Sequence, residues 1–421
     1  MKIALALGLN IGLLLLLIQW IRRQWHEPET RRWLLPLLGL KVLASAATCY
    51  LLTADAAYLH YWAEALSYQF WDKPLDWLQT LVSNEYHYKR GHLVYHGYSN
   101  AFFIVKLMSL VRVASNGNLF LSALYPSLFN FVGCWQLVRV FHRVFPTAPR
   151  GATIVAWLVW PTVVYWTSGL TKESILVGSG AWLLALVLPW LYGAEKPRLA
   201  TLIGVLLLAV LHFKIRFFFA VPLFAALSGL AAIRLVQQLG GAQKRWVQAA
   251  IFGAVLLAGV AAVSEVSPTF RFNKFSSQLI QIHSDIEDHS FYRPHIKFED
   301  LAPTPESIAR NTPKAVISAL VRPWLGESAK PFYVVVGLEN AVLLFILGVA
   351  FVALLQGRSS HLPFALVLAL LVYCVALAAL MGLSTPNLGT LNRYRSSLLP
   401  VVLLLALQND YAARALRRIG L

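Results

Sequence analysis

A single aspartate stands just past an apolar run of about twenty residues, in "LLTADAAYLHYWAEALS" (51–67). Asp55 is followed by Tyr58, His60 and Tyr61, three rings with polar tips. Other ionisable side chains also gather where apolar runs end. Lys172 and Glu173 lie in "TSGLTKES", and Lys214 and Arg216 in "HFKIRFFF". Arg322, Glu327 and Glu339 surround "RPWLGESAKPFYVVVGLE", and Arg393, Tyr394 and Arg395 open "NRYRSSLLP". An ionisable group at membrane depth is a functional candidate by default. Arginine and lysine at that depth suit a phosphate, which arginine can hold through two parallel hydrogen bonds. A carboxylate facing such a phosphate can take the proton of a hydroxyl as a general base. Together these residue types imply transfer of a group from a lipid phosphate to an alcohol.

Each member also has a plainer reading. Asp55 fits a cap for a helix starting at Ala56. Tyr58 and Tyr61 fit an interfacial aromatic belt, and His60 a polar edge. Lys172 and Glu173 fit a mutual pair, and Glu339 a cap or a partner for Arg322. Arg216, Arg393 and Arg395 fit side chains reaching toward lipid head groups. His92 and His96 in "KRGHLVYHGYSN" match no compact metal site, so no metal ligand is assigned and a divalent ion is left open. What raises the functional reading is the common side of the membrane, not any one residue.

The elements that position them follow from composition. The chain of 421 residues is 58% hydrophobic and 13% charged, with mean hydropathy +0.62. A soluble globule could not cover that apolar surface. The apolar runs are continuous and not alternating, which favours helices over a barrel. The expected class is all-α, a polytopic integral membrane helical bundle forming a single transmembrane domain over residues 1–421. The formal charge of +17 is scattered over loops, as in proteins that follow the positive-inside bias, and nucleic acid is not an expected partner. Cys49, Cys134 and Cys374 lie inside apolar runs and suit ordinary core positions. The first apolar run is longer than the core of a signal peptide and lacks a small-residue cleavage site, so it reads as a retained span.

Membrane-crossing helices are expected near 3–20, 33–53, 118–138, 151–168, 174–192, 200–213, 217–235, 246–264, 332–355, 362–382 and 396–409, about eleven in all. One set of loops carries Arg22, Arg23, Arg31, Arg32, Arg139, Arg143, Arg150, Lys196, Arg198, Arg234, Lys244, Arg245 and Arg358, with Arg414, Arg417 and Arg418 in the tail. Placing that set in the cytoplasm puts the N-terminus outside and the C-terminus inside. Two long stretches, 54–117 and 265–331, are then extracytoplasmic, the second partly structured. Residues 99–115 carry Lys106 and Arg112 and suit a re-entrant or surface-lying helix, keeping the crossings odd. In "WDKPLDWLQTLV", Trp71, Leu75, Leu78 and Val82 share one helical face, the pattern of an interfacial helix.

"ADAAYLHYWAEAL" after an early span, "NLFLSALYPSLFNFVGCWQLVRVFHRVFP" next, then "WPTVVYWTSGLTKESILVGSGAW", "TPKAVISALVRPWLGESAKPFYVVVGLEN" and "NRYRSSLLPVVLLLAL" form a series of blocks. Their order resembles that of bacterial GT-C superfamily membrane glycosyltransferases, polyprenyl-phosphate-sugar-dependent and family 39-like, over residues 33–409. The resemblance implies a GT-C-like bundle with outer juxtamembrane helices, a polyprenyl-phosphate sugar donor, and a glycan, lipid or protein acceptor. It implies Asp55 as catalytic base. It matches Lys172 and Glu173 to the family's second outer turn and puts Arg216 and Arg393 or Arg395 on the donor phosphate; Tyr58, His60, Lys214, Arg322 and Glu339 join them at the substrates by their common outer side, with the stretch 265–331 as a cover. Ala56 departs from the paired acids of many members, and the short basic tail "YAARALRRIGL" from the large soluble domain of some. Two other functions stay open: a surface-polysaccharide polymerase or ligase, and a transporter or flippase for a lipid-linked sugar, which would need polar residues deep in the spans.

Overall fold

A computed structural model describes residues 1–27, 30–89, 91–95, 100–193, 197–266, 271–290, 292–358 and 362–421. Helices α1 (Lys2–Trp25), α2 (Arg31–Tyr50), α3 (Ala54–Asp72) and α4 (Pro74–Val82) lead to a hairpin of β1 (Glu85–Tyr88) and β2 (Gly91–Val94). Next come α5 (Asn100–Ala114), α6 (Leu119–Val144), α7 (Arg150–Ile154), running into a π-helical turn at Val155–Val159, and α8 (Pro161–Trp166). α9 (Lys172–Tyr192), α10 (Leu199–Ile215), α11 (Phe217–Gln238) and α12 (Arg245–Val266) are strongly apolar. α13 (Phe272–Asp288), α14 (Pro305–Val321), α15 (Pro331–Leu355) and α16 (Phe364–Ser384) follow, then α17 (Leu388–Tyr394), α18 (Leu399–Ala406) and α19 (Asp410–Arg418).

Among the described residues seven helices are long and apolar enough to cross a membrane: α1, α2, α9, α11, α12, α15 and α16. The chain is thus a helical protein of membrane type. The other four expected crossings are not among these seven, and three of them differ in form. Residues 119–138 lie in α6, a continuous 26-residue helix whose last turn is basic. Residues 151–168 are broken: Trp160 is extended at ψ 124 and Pro161 starts a new helix, because proline lacks an N–H and disfavours helix in the residue before it. Residues 200–213 lie in the 17-residue α10, and 396–409 contain only the 8-residue α18.

The chain divides into two compact units. The first comprises Met1–Arg139, Val164–Leu186 and Arg198–Phe217, the second Val140–Val163, Val187–Pro197 and Phe218–Leu421.

In the first unit α5 packs against α1, α3 and α10. Only 6% of the apolar window of α1 is buried, against 72% of that of α9. A helix so apolar and so bare needs lipid around it, whereas α9 is a core element. α6 meets α9 backbone to backbone, since a Cβ on Gly133 would lie 2.3 Å from the Gly178 carbonyl oxygen. Gly133→Ala is therefore expected to destabilise the protein by ~1–3 kcal/mol, read as a lower thermal midpoint in detergent. An unchanged midpoint would mean that the two helices can separate at no cost.

α4 keeps part of the expected face: Trp71 belongs to α3, because Pro74 starts a new helix after Lys73. Leu75, Leu78 and Val82 are exposed, while Trp77 is buried with its indole N–H 3.4 Å from the Ser109 hydroxyl. The hairpin shows the two-residue period of a half-buried ribbon, with Tyr86 and Tyr88 inside and Glu85 and His87 outside.

In the second unit α14 and α13 pack on α16. A Cβ on Gly382 would lie 2.3 Å from the Ala315 carbonyl oxygen, so α14 and α16 also touch through backbone. The stretch 265–331, expected to be partly structured, contains two 17-residue helices, α13 and α14, which each bury one face around Leu279, Ala315 and Leu383. Further ties hold it: the His283 Nδ1 is 2.8 Å from the Leu383 carbonyl, Ile296 N–H donates to Pro386 and Leu388 N–H to Pro294.

Candidate functional site

Asp55 is the second residue of α3 and is exposed. It does not cap the helix. Thr53 does, its hydroxyl accepting from the Ala56 N–H at 3.2 Å, which leaves Asp55 in the first turn, where negative charge meets the positive end of the helix dipole. One turn on, the Tyr58 hydroxyl is hydrogen-bonded to that of Tyr95, whose ring stacks on Phe102 of α5 at 5.2 Å.

His60 and Glu64, on the same helix, hold Arg112 of α5. The guanidinium lies 3.1 Å from His60 Nε2 and donates to Glu64 Oε1 at 2.7 Å. This cluster fixes α3 against α5. Its signal in sequence was the isolated arginine of an apolar segment, which was read only as an argument against crossing.

Burial first, and the Arg112 charge second, hold the His60 imidazole below the usual histidine range, with Glu64 opposing them. Above pH ~6.5 the histidine is neutral in both states and adds no pH dependence. As pH falls below that, the unfolded chain takes the proton first, so stability drops until the lower folded pKa is passed. His60→Gln should remove this slope from thermal midpoints measured between about pH 6.5 and 5. The same slope in the variant would assign it to another group.

Lys172 and Glu173 start α9 and point to different partners. Lys172 Nζ is 3.3 Å from Asn100 Oδ1 at the start of α5. Glu173 Oε1 accepts from Arg216 at 2.9 Å, with side-chain exposures of 3% and 8%. The preceding turn is rigidly held: Lys41, buried in α2, donates to the Thr167 carbonyl at 2.7 Å and hydroxyl at 2.6 Å. Asn130 donates to the Ser174 carbonyl at 3.1 Å. Lys41 and Asn130 are polar groups within apolar helices that the reading from hydropathy passed over.

Lys214 is exposed near the end of α10. Burial, and then the neighbouring charge of Lys214, hold Lys106 of α5 below the usual lysine range. Two ammonium groups so placed repel each other, and an anion between them would relieve that. The first unit thus brings Glu173 to Arg216, His60 to Arg112 and Lys214 toward Lys106, with α5 as the shared support.

The second unit holds the remaining expected residues. Arg395 is 0% exposed. Its guanidinium donates to the carbonyls of Leu320 at 2.5 Å and Arg322 at 2.8 Å and to Asn340 Oδ1 at 2.9 Å. Those carbonyls close the C-terminal turn of α14, where helical partners run out. Arg322 pairs with Glu327, whose other oxygen accepts from the Trp324 N–H at 2.9 Å. Glu339 accepts from the Thr162 N–H at 3.1 Å and hydroxyl at 2.6 Å, capping α8 from a distant helix instead of pairing with Arg322. Arg393 is half-buried, with its guanidinium 5.1 Å from the Tyr394 ring centre. Arg395 and Arg322 are held by hydrogen bonds that make them framework, Arg395 the more deeply buried of the two.

Among the described residues no three His, Cys, Asp or Glu side chains gather as a metal site. His96, considered with His92, lies outside the described residues. Comparison with protein-family models, with curated proteins and with solved structures finds no match.

Proposed function

We propose that the chain is a GT-C-type glycosyltransferase of a bacterial inner membrane. It would move a sugar from a polyprenyl-phosphate donor to a hydroxyl of a glycan, lipid or protein acceptor on the extracytoplasmic face. On this reading the broken and shorter apolar stretches complete about eleven crossings, with the N-terminus outside and the C-terminus in the cytoplasm. The observation that supports it most is an exposed carboxylate, Asp55, in the same compact unit as the helix-end cations Lys172 and Lys214 and as Lys106 in the middle of α5.

The chemistry needs few parts. Asp55 takes the proton of the acceptor hydroxyl. The oxygen bonds to the anomeric carbon of the sugar, the bond from that carbon to the phosphate oxygen breaks, and prenyl phosphate leaves with the electron pair. Lys172 and Lys214 offset the charge of that phosphate, and Arg216, paired with Glu173, holds the end of α10 beside the start of α9. Arg395, Arg322 and Glu339 keep their helices in position.

The transport reading gains deep polar groups in Lys41 and Asn130. Both are engaged by neighbouring backbone at short distances, which suits a fixed core more than a moving path. A panel of radiolabelled polyprenyl-phosphate sugars, offered to the purified protein in lipid nanodiscs, tests the proposal. One donor should be consumed with release of prenyl phosphate. Donor movement between leaflets of proteoliposomes without consumption of any donor would replace a transferase by a transporter.

A further inference from the structure

The second unit contains a basic cavity that the proposed transfer does not use. Its volume is ≈ 730 Å³, and four arginines from three separate stretches line it: Arg150 at the start of α7, Arg358 after α15, and Arg414 and Arg417 on α19. Asp410 is the one acidic side chain among its lining residues. Even with a chain-end carboxylate at Leu421 the cavity keeps a positive excess. These are residues of the loops and tail assigned to the cytoplasmic side by the positive-inside bias. That bias explains basic residues in those loops. It does not explain why three stretches far apart in sequence fold so that four guanidinium groups share one hollow.

Next to it lies an apolar groove of ≈ 520 Å³ along α15, lined by Phe345, Gly348, Val349 and Val352 and bounded by Tyr411. Phe345 is 71% exposed, and a Cβ on Gly348 would meet nothing within 4 Å. Tyr411 joins the two spaces. Its ring lies 5.6 Å from the Arg358 guanidinium and 5.1 Å from that of Arg414, and its hydroxyl accepts from Arg358 at 3.1 Å. An anionic hollow-filler and an apolar chain would therefore occupy adjoining spaces on one unit.

We propose that this is a binding site for an anionic phospholipid. The phosphate sits among Arg150, Arg358, Arg414 and Arg417, and one acyl chain lies along α15 over Gly348. Guanidinium groups match phosphate oxygens through paired hydrogen bonds, and basic pockets at the cytoplasmic edge of helices hold acidic head groups. The cavity is larger than a bare phosphate needs and falls in the usual range for small-molecule sites. A free phosphate leaves the groove unexplained, and a zwitterionic lipid leaves the charge excess unmet.

The test is native mass spectrometry of the full chain in detergent. It would be titrated with phosphatidylglycerol, with phosphatidylcholine of the same chains, and with glycerol 3-phosphate. Phosphatidylglycerol should be retained about tenfold more tightly than phosphatidylcholine, and Arg414→Gln/Arg417→Gln should remove most of that preference. All four arginines are exposed, so the double variant keeps its fold, which its thermal midpoint verifies. Gly348→Phe should weaken phosphatidylglycerol binding by filling the groove. Equal retention of the two lipids, or an unchanged preference in the double variant, overturns the site. Displacement of phosphatidylglycerol by glycerol 3-phosphate at equal concentration would make the ligand a soluble phosphate and overturn the lipid assignment, as would full binding by Gly348→Phe.

Discussion

Replacing Asp55 by asparagine will lower turnover of the consumed donor about 10²- to 10⁴-fold, the usual contribution of a positioned general base, and leave donor binding in place. The fold gives this variant a clean reading. Asp55 is exposed, and the cap of α3 is made by Thr53. Loss of the charge at the helix start by itself accounts for about 0.3–1 kcal/mol. Binding is measured by retention of labelled donor, turnover by prenyl phosphate release, and the fold by the thermal midpoint. Full turnover in the variant would remove Asp55 from the mechanism. Loss of donor binding together with turnover would make it a binding residue and leave the base to be found elsewhere.

Glu173→Gln should cost about 3–5 kcal/mol of stability, the range for breaking one side of a buried ion pair. Both partners are nearly sealed from solvent, so the Arg216 charge left behind would have little water to turn to. The amide keeps the volume and one acceptor oxygen, so the loss reports charge and not a cavity. Glu173→Met with Arg216→Met should recover much of the loss, because removing both charges also removes their desolvation cost. A drop of less than 1 kcal/mol in the single variant would show that water or another anion reaches Arg216. Addition of the donor offers a second readout. If Arg216 meets its phosphate, the donor should stabilise Glu173→Gln more than it stabilises the wild-type protein.

Several elements were legible because local pattern and burial agree. The helix at 74–82 follows from Leu75, Leu78 and Val82 at helical spacing, and the long runs at 217–238, 245–266, 331–355 and 364–384 follow from hydropathy alone. The run at 151–168 was misleading, since average hydropathy does not register that Pro161 interrupts the hydrogen-bond ladder. Polarity hid α13 and α14: each has one face for α16, and a reading that asks only whether a stretch can span passes over both. The hairpin was missed because alternation in "EYHY" covers just four residues. Partner choice was beyond reach. Lys172 and Glu173 are adjacent in sequence, yet the helix turns them toward α5 and the end of α10, and only the packing of α5 and α10 selects Asn100 and Arg216.

The stretch 265–331 was expected to act as a cover. It is joined to α16 and the segment after it at His283, at Ile296 and Leu388, and where Ala315 meets Gly382. A segment with that many buried ties opens rarely, since each opening must break several of them together. Many enzymes that enclose their substrates spend most of a cycle waiting for a flap to lift. Here the waiting step would lie elsewhere. Turnover should follow lateral diffusion of lipid into and out of the site, slowing as the bilayer stiffens and remaining indifferent to cross-links between α13 and α16.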